Sequence, residues 1–153
     1  MELSEQSKGR LQGKVTLVTG AARGVGFATA QRFCQEGATV LMTDVDSAQG
    51  EAAAAQIGAR FMLLDVAQEA DWQRCAAVIA EDYGRLDILV NNAGAAWAEP
   101  FADFPESGWD KVLDLNLKAP FFLTQALYPL LCKAAQERPA KVINVASIDG
   151  LSI

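Results

Sequence analysis

Three glycines crowd a single turn in VTGAARGVGFATA, Val18 to Ala30 of this 153-residue chain. An apolar run precedes them and a helix-forming run follows. That layout suits the phosphates of a dinucleotide. Gly20 permits the tight turn, Gly24 lets the backbone approach a pyrophosphate, and Gly26 lets the helix pack close on the sheet. Backbone N–H groups at the helix start then face the phosphates, so Ala22, Arg23 and Val25 join the glycines as contact candidates. The spacing is G-x3-G-x-G, not the G-x-G-x-x-G of the standard fingerprint. Taken alone, such a turn is equally well explained as purely structural.

Asp44 strengthens the dinucleotide reading. It ends the next apolar run, 24 residues after Gly20. A carboxylate there accepts hydrogen bonds from the adenosine ribose hydroxyls; the alternative is a solvated turn aspartate that caps the next segment. Its charge repels a 2′-phosphate and favours NAD over NADP. Arg23 pulls the other way, because a guanidinium beside the phosphates can hold the extra phosphate. The ribose contact is the more direct of the two, so NAD is expected ahead of NADP.

Further motifs follow in order: LDV (Leu64 to Val66), NNAG (Asn91 to Gly94), LNL (Leu115 to Leu117) and NVAS (Asn144 to Ser147). With TGAARGVG (Thr19 to Gly26) they resemble the classical short-chain dehydrogenase/reductase family, over nearly the whole chain from about Gly13 to Ile153. The resemblance implies hydride transfer between a nicotinamide and an alcohol or carbonyl carbon. It implies that Asp65 and Val66 hold adenine, and that Asn92, Ala93 and Gly94 lie beside the ribose and nicotinamide half. It places Asn116 at the catalytic asparagine and Ser147 at the catalytic serine.

Each residue also has a physical reading. Asp65, at a strand end, can hydrogen-bond the adenine amine while the Val66 backbone reads another ring edge; a helix-capping aspartate is the alternative. Asn91 and Asn92 close an apolar strand, where buried amides need partners. In the family one braces the sheet and one meets the cofactor, and the cofactor contact is assigned to Asn92; a purely structural pair is the alternative. Asn116 lies in a long helical run with Pro120 four residues later. Proline has no N–H, so the Asn116 carbonyl loses its helical partner. A freed carbonyl in a cleft can hold a water, and the family uses this place for a proton-relay water; an incidental kink is the alternative. Ser147 follows VINVA directly, at the carboxyl end of a strand, where open α/β sheets place their ligands. There its hydroxyl can donate to a substrate carbonyl as hydride adds. Trp97 either borders the substrate mouth or packs in a core or lid.

The family's acid is a tyrosine, with a lysine four residues after it, a dozen or so residues beyond the serine. This chain ends six residues after Ser147. Four residues after Tyr83 and Tyr128 stand Asp87 and Cys132, and Lys133 is five after Tyr128. The chain alone is therefore expected to show no turnover. One expectation is the amino-terminal part of an oxidoreductase; the other is a non-catalytic dinucleotide-binding protein or partner subunit. The intact mass of the natural protein, set against the 16.3 kDa of this chain, separates them.

The elements that must position these residues alternate between strand and helix. Strands are expected at Lys14 to Thr19, Thr39 to Asp44, Arg60 to Asp65, Asp87 to Asn92 and Lys141 to Ser147. Helices are expected over Gly24 to Glu36, from Ser47 as cap to about Gly58, over Gln68 to Tyr83, and from about Glu106 to Ala135. The strands are apolar almost throughout, which marks strands buried on both faces of a parallel sheet. The expected fold is α/β, a doubly wound parallel-sheet Rossmann fold, truncated after strand five. Residues 1–13 read as an amino-terminal arm and 14–153 as the incomplete dinucleotide-binding domain. The long helix is apolar beyond one face, and the resemblance implies that in a complete protein it packs against another subunit, as a homo-oligomer.

The net charge of -6 argues against nucleic acid or anionic membrane as partner. The polar start has no signal-peptide centre, so a cytoplasmic protein is expected; the small alcohol or carbonyl substrate is what the resemblance implies. The absence of histidine excludes Ser-His-Asp and Cys-His chemistry and argues against catalytic zinc. The three cysteines, without metal-like spacing, read as reduced and mostly buried thiols, and no metal is expected.

Overall fold

The strands β1 (Val15–Thr19), β2 (Thr39–Asp44), β3 (Arg60–Leu63), β4 (Ile88–Asn91) and β5 (Lys141–Asn144) form one parallel sheet. Their order is β3-β2-β1-β4-β5. This computed structural model describes residues 9–148. Helices α1 (Gly24–Gln35) and α2 (Ser47–Ile57) cover one face. Helices α3 (Glu69–Asp82), α4 (Glu106–Leu113) and α5 (Ala119–Ala135) follow, and α3 and α5 pack against the other face.

Apolar runs without alternation make sense once both faces are covered. Leu17, Leu41 and Leu89 point into a core with Ile79, Leu123 and Leu127. Their chain neighbours Val18, Val40, Met42, Ile88 and Val90 point the opposite way, into a second core with Ala30 and Ala53. Successive strand residues face opposite sides, so the inner strands β1, β2 and β4 bury residues on both faces, while the edge strand β5, expected to be buried, is exposed along its length because no further strand or helix among the described residues covers it.

The register levels the carboxyl ends of four strands. Thr19 pairs with Thr43, Val18 with Val90, and Asn91 with Asn144. Asp44, Asn91 and Asn144 thus reach one rim together. At the opposite rim the buried Asp87 ties the sheet shut: its carboxylate accepts the Val15 N–H at 3.0 Å, Lys14 Nζ at 2.9 Å and Arg85 Nε at 3.1 Å. Burial pushes the Asp87 carboxyl up, and these three donors outweigh that and hold it below the usual carboxylate range.

Several expected boundaries move, each for a local reason. β4 stops at Asn91 because the Asn92 N–H goes to the Thr19 hydroxyl at 3.0 Å. β5 stops at Asn144; Val145 still donates to the Asn91 carbonyl, and beyond it β4 offers nothing more to pair with. β3 stops at Leu63, and the Asp65 N–H turns to the Asp71 carboxylate at 2.7 Å. The cap of α2 is Asp46, whose carboxylate accepts the Gln49 N–H at 3.0 Å; Ser47 is the first helical residue and reaches Glu51 instead. The expected long helix is three pieces. Between α4 and α5 the residues Asp114–Lys118 form a π turn, just before Pro120. A π turn adds a residue to the helical ring, and such bulges gather at functional sites. Pro129 lies inside α5, which continues to Ala135.

Residues 9–13, expected as part of an amino-terminal arm, fold against the end of α1. The Leu11 N–H donates to the Glu36 carbonyl, and Arg10 bonds the Glu36 carboxylate at 2.9 Å. That guanidinium contact lowers the Glu36 carboxyl to about 2. No helix among the described residues is long and apolar enough to cross a membrane.

Candidate functional site

The glycine turn sits at the shared rim, between the ends of β1 and β4. Gly20 has φ +63°, and a Cβ there would lie 2.8 Å from the Ala93 Cα. A Cβ on Gly26 would overlap the Gly20 carbonyl oxygen and sit 2.6 Å from Asn92 Nδ2. These two glycines therefore let α1 and the strand-four loop close on each other. Gly24 is different: it has φ +59°, and nothing lies within 4 Å of where its Cβ would be. Its missing side chain opens space in front of α1. No side chain caps α1 by a hydrogen bond, and its first turn holds no acidic residue. The backbone donors at that helix start, with Arg23 and Val25 exposed beside them, suit an anion.

Asp44 stands level with this turn. Its Oδ2 accepts the Ala22 N–H at 3.0 Å and its Oδ1 accepts the Asp46 N–H at 3.1 Å. The half-buried carboxylate thus holds the glycine turn as well as presenting negative charge at the end of β2. In the next loop Asp65 Oδ1 accepts the Ala67 N–H at 2.9 Å, closing the turn before α3. Val66 is buried in the core, and its carbonyl accepts Trp72 Nε1 at 2.6 Å.

The two asparagines of NNAG both brace. Asn91 Nδ2 donates to Asn144 Oδ1 at 2.8 Å and to Thr124 Oγ1 at 3.3 Å. Asn92 Nδ2 donates to the carbonyls of Thr19 and Gly20, each at 3.0 Å. Asn91 thus joins β4 to β5 and α5, and the Asn92 amide donors go to the glycine turn. Asn92 holds the turn against β4, and its amide nitrogen is fully engaged there.

Thr19 completes the joint and had no role in the sequence reading. Its hydroxyl oxygen accepts the N–H groups of Asn92 and Ala93, both at 3.0 Å, and donates to the Val90 carbonyl at 3.3 Å. Its position as the last residue of β1, directly before the glycines, was the signal for it. Thr124 was also missed, although a helical threonine can bond back to the carbonyl four residues earlier.

A cleft of about 1520 Å³ opens beside this joint. Asn92, Gly94, Trp97, Asn116, Thr124 and Ser147 are among the residues that line it. Asn116 and Ser147 thus come to one cleft from the π turn and from the end of β5. The Asn116 side chain pairs with Ala95 in the loop after Gly94, and a Cβ on Gly94 would lie 2.9 Å from Asn116 Oδ1. Pro120 has no N–H, so the Asn116 carbonyl lacks the i+4 donor of a regular α-helix where the π turn resolves into α5. Trp97 lies against Gly108 and has Lys111 Nζ 5.7 Å from its ring centre, at the cleft mouth. The structure brings Gly20, Ala22, Arg23, Gly24, Val25, Gly26 and Asp44 to one part of the rim. Asn92, Ala93, Gly94, Asn116 and Ser147 stand in the adjoining cleft.

Residues 14–152 match the family model described as short chain dehydrogenase. A 3-oxoacyl-acyl-carrier-protein reductase of rhamnolipid biosynthesis from Pseudomonas aeruginosa is 40% identical over 147 residues, covering 93% of this chain and 57% of that protein. A galactitol 2-dehydrogenase from Agrobacterium fabrum is 41% identical over 143 residues, covering 92% of this chain and 55% of that protein. The solved Pseudomonas aeruginosa RhlG/NADP active-site complex superposes with a TM-score of 0.89 at 38% identity, over 93% of this chain and 57% of that one. The chain thus spans about half the length of the curated relatives it matches. With a matching family model over nearly all its residues and relatives about 40% identical over most of it, the chain belongs to the short-chain dehydrogenase family.

Proposed function

We propose that this chain is the dinucleotide-binding part of an NAD(P)-dependent oxidoreductase acting on a small alcohol or carbonyl compound. The observation that carries the reading is the uncapped, acid-free start of α1, fronted by the open space at Gly24 and level with Asp44. Gly20, Ala22, Arg23, Gly24, Val25 and Gly26 hold the pyrophosphate, Asp44 the ribose, and Asp65 and Val66 the adenine. Ala93, Gly94 and the Asn92 backbone border the nicotinamide half. The bound dinucleotide supplies the hydride acceptor or donor.

Ser147 orients the substrate carbonyl by donating its hydroxyl proton, which stabilises negative charge growing on that oxygen. The Asn116 carbonyl holds a water in the cleft, giving a route for the proton of the alcohol. The sequence contains no tyrosine with a lysine four residues on, so this chain by itself is proposed to bind dinucleotide without turnover.

Asp44 supports NAD, since a carboxylate at the end of β2 repels a 2′-phosphate. Arg23 and the NADP in the related complex support NADP. Asp44 is the charge nearest the expected ribose, and NAD is the proposed preference. A cytoplasmic location and a homo-oligomer through the α4–α5 face are part of the same reading; Trp109, Leu117, Phe121 and Tyr128 are exposed there.

The test is fluorescence titration of this chain with NADH and NADPH, together with steady-state assays of the natural full-length protein on secondary alcohols. Tighter NADH binding by the chain and turnover only by the full-length protein are expected. Turnover by pure 153-residue chain would overturn the inactivity, and failure to bind either dinucleotide would overturn the whole reading.

A further inference from the structure

The cleft floor contains a side-chain chain that the roles above do not use. Asn144 Oδ1 accepts Asn91 Nδ2 at 2.8 Å; the same nitrogen donates to Thr124 Oγ1 at 3.3 Å; and Thr124 Oγ1 donates to the Pro120 carbonyl at 2.6 Å. A hydroxyl has one proton to give and can also accept. Thr124 uses both capacities here, toward different elements. At one end of the chain is Asn144, three residues before Ser147. At the other is Pro120, four residues after Asn116. Between them Asn91 is buried, at 5% exposure, and its carbonyl also receives the Val145 N–H at 3.0 Å.

We infer that Thr124 is a positioning residue, which sets the spacing between Ser147, three residues past β5, and Asn116 on the π turn. The inference rests on the oxidoreductase reading for its kinetic consequence and on geometry alone for its mechanical one. The start of α5 has few other polar ties to the sheet rim: among the described side-chain hydrogen bonds, Thr124 is the residue that joins α5 to β4. Without its hydroxyl, one Asn91 N–H loses its acceptor, and the first turn of α5, which follows the π turn directly, loses its side-chain link to the β4–β5 pair. Shifts of about 1 Å in such a constellation cost up to about a hundredfold in rate.

Two measurements test this with Thr124→Val, which keeps the shape, and Thr124→Ser, which keeps the hydroxyl. The first is kinetic, on the natural full-length protein. The expected result is kcat at least about tenfold lower in T124V, dinucleotide Kd unchanged within about twofold, and T124S near wild type. A T124V kcat within about twofold of wild type, a Kd that weakens in step with kcat, or no rescue by T124S overturns the positioning role. The second is amide hydrogen exchange on the same proteins without substrate. T124V is expected to speed exchange in both residues 114–121 and residues 145–147, because the hydroxyl couples them; acceleration confined to α5 and the π turn overturns the coupling. If wild type shows no turnover, the oxidoreductase reading fails, and the exchange result still decides the positioning role.

Discussion

The Asn116 side chain grips the backbone of Ala95 twice: its Oδ1 accepts the Ala95 N–H at 2.9 Å, and its Nδ2 donates to the Ala95 carbonyl at 2.8 Å. A residue expected to act through its own carbonyl thus also fixes the strand-four loop with its amide. Asn116→Ala removes both bonds and is expected to cost about 1–3 kcal/mol, since two neutral hydrogen bonds are each worth about 1 kcal/mol. Asn116→Asp retains the acceptor, sets a carboxylate against the Ala95 carbonyl, and is expected to be no more stable than the alanine variant. Urea unfolding of the chain measures both, and faster exchange of the Ala95 amide locates the loss.

The glycines are expected to rank by what surrounds them. Gly26→Ala drives a Cβ into the Gly20 carbonyl and Asn92, so α1 must move away from β4. Overpacking of this kind costs about 1–3 kcal/mol, and dinucleotide binding is expected to vanish with it. Gly24→Ala meets open space and bears only the left-handed backbone cost of about 1–2 kcal/mol. It is expected to fold and to bind dinucleotide weakly. Thermal unfolding and NADH titration of the two variants give the order; equal behaviour contradicts it.

Asp44 has two jobs that two substitutions separate. Asp44→Asn keeps an oxygen able to accept one of the Ala22 and Asp46 N–H groups and removes the charge. Asp44→Ala removes both. If the charge sets cofactor choice, both variants shift the NADPH-to-NADH affinity ratio toward NADPH, by about ten- to a hundredfold for a charged hydrogen bond worth about 1.5–3 kcal/mol. The alanine variant is expected to lose more melting temperature than the asparagine variant. A ratio that does not move in Asp44→Asn removes the electrostatic argument.

Acid is expected to weaken the rim opposite the site. The Asp87 carboxyl is pushed up by burial but held below its unfolded value by Val15 N–H, Lys14 and Arg85. A depressed folded value means that its stabilisation is fully present above the unfolded value, about 3.9. That stabilisation disappears as pH falls through the folded value. The chain should therefore lose stability below about pH 4, and Asp87→Asn should flatten that part of the curve while costing about 2–3 kcal/mol at pH 7. Denaturation midpoints between pH 2 and 7 for wild type and variant decide the matter.

The thiols are expected to react in order of access. Cys132 is exposed on α5, Cys34 is half-buried with its thiol raised by burial, and Cys75 is buried with its thiol pushed up to about 12. Because the thiolate is the reactive form, Cys132 should label first with a disulfide reagent and Cys75 only in denaturant. Mass spectrometry of the time course reads the order.

Much of this protein follows from short stretches of its sequence. β2 runs from Thr39 to Asp44 as its apolar run indicates, and Gly58 ends α2 in the left-handed conformation that stops a helix. The glycine turn and the carboxylate at the end of β2 were legible because backbone conformation and apolar period are local properties. The partners of the polar side chains were not. That the Asn92 amide bonds Gly20, 72 residues away, and that the Asn116 side chain grips Ala95 is written in no local pattern. The π turn, the brace at Thr19 and the Thr124 link share that character. Sequence decided which segments form strands and helices and which faces they bury. Which donor meets which acceptor was decided by the register of parallel strands and the docking of α5, because those distances exist only after residues far apart in the chain have been brought to the same rim.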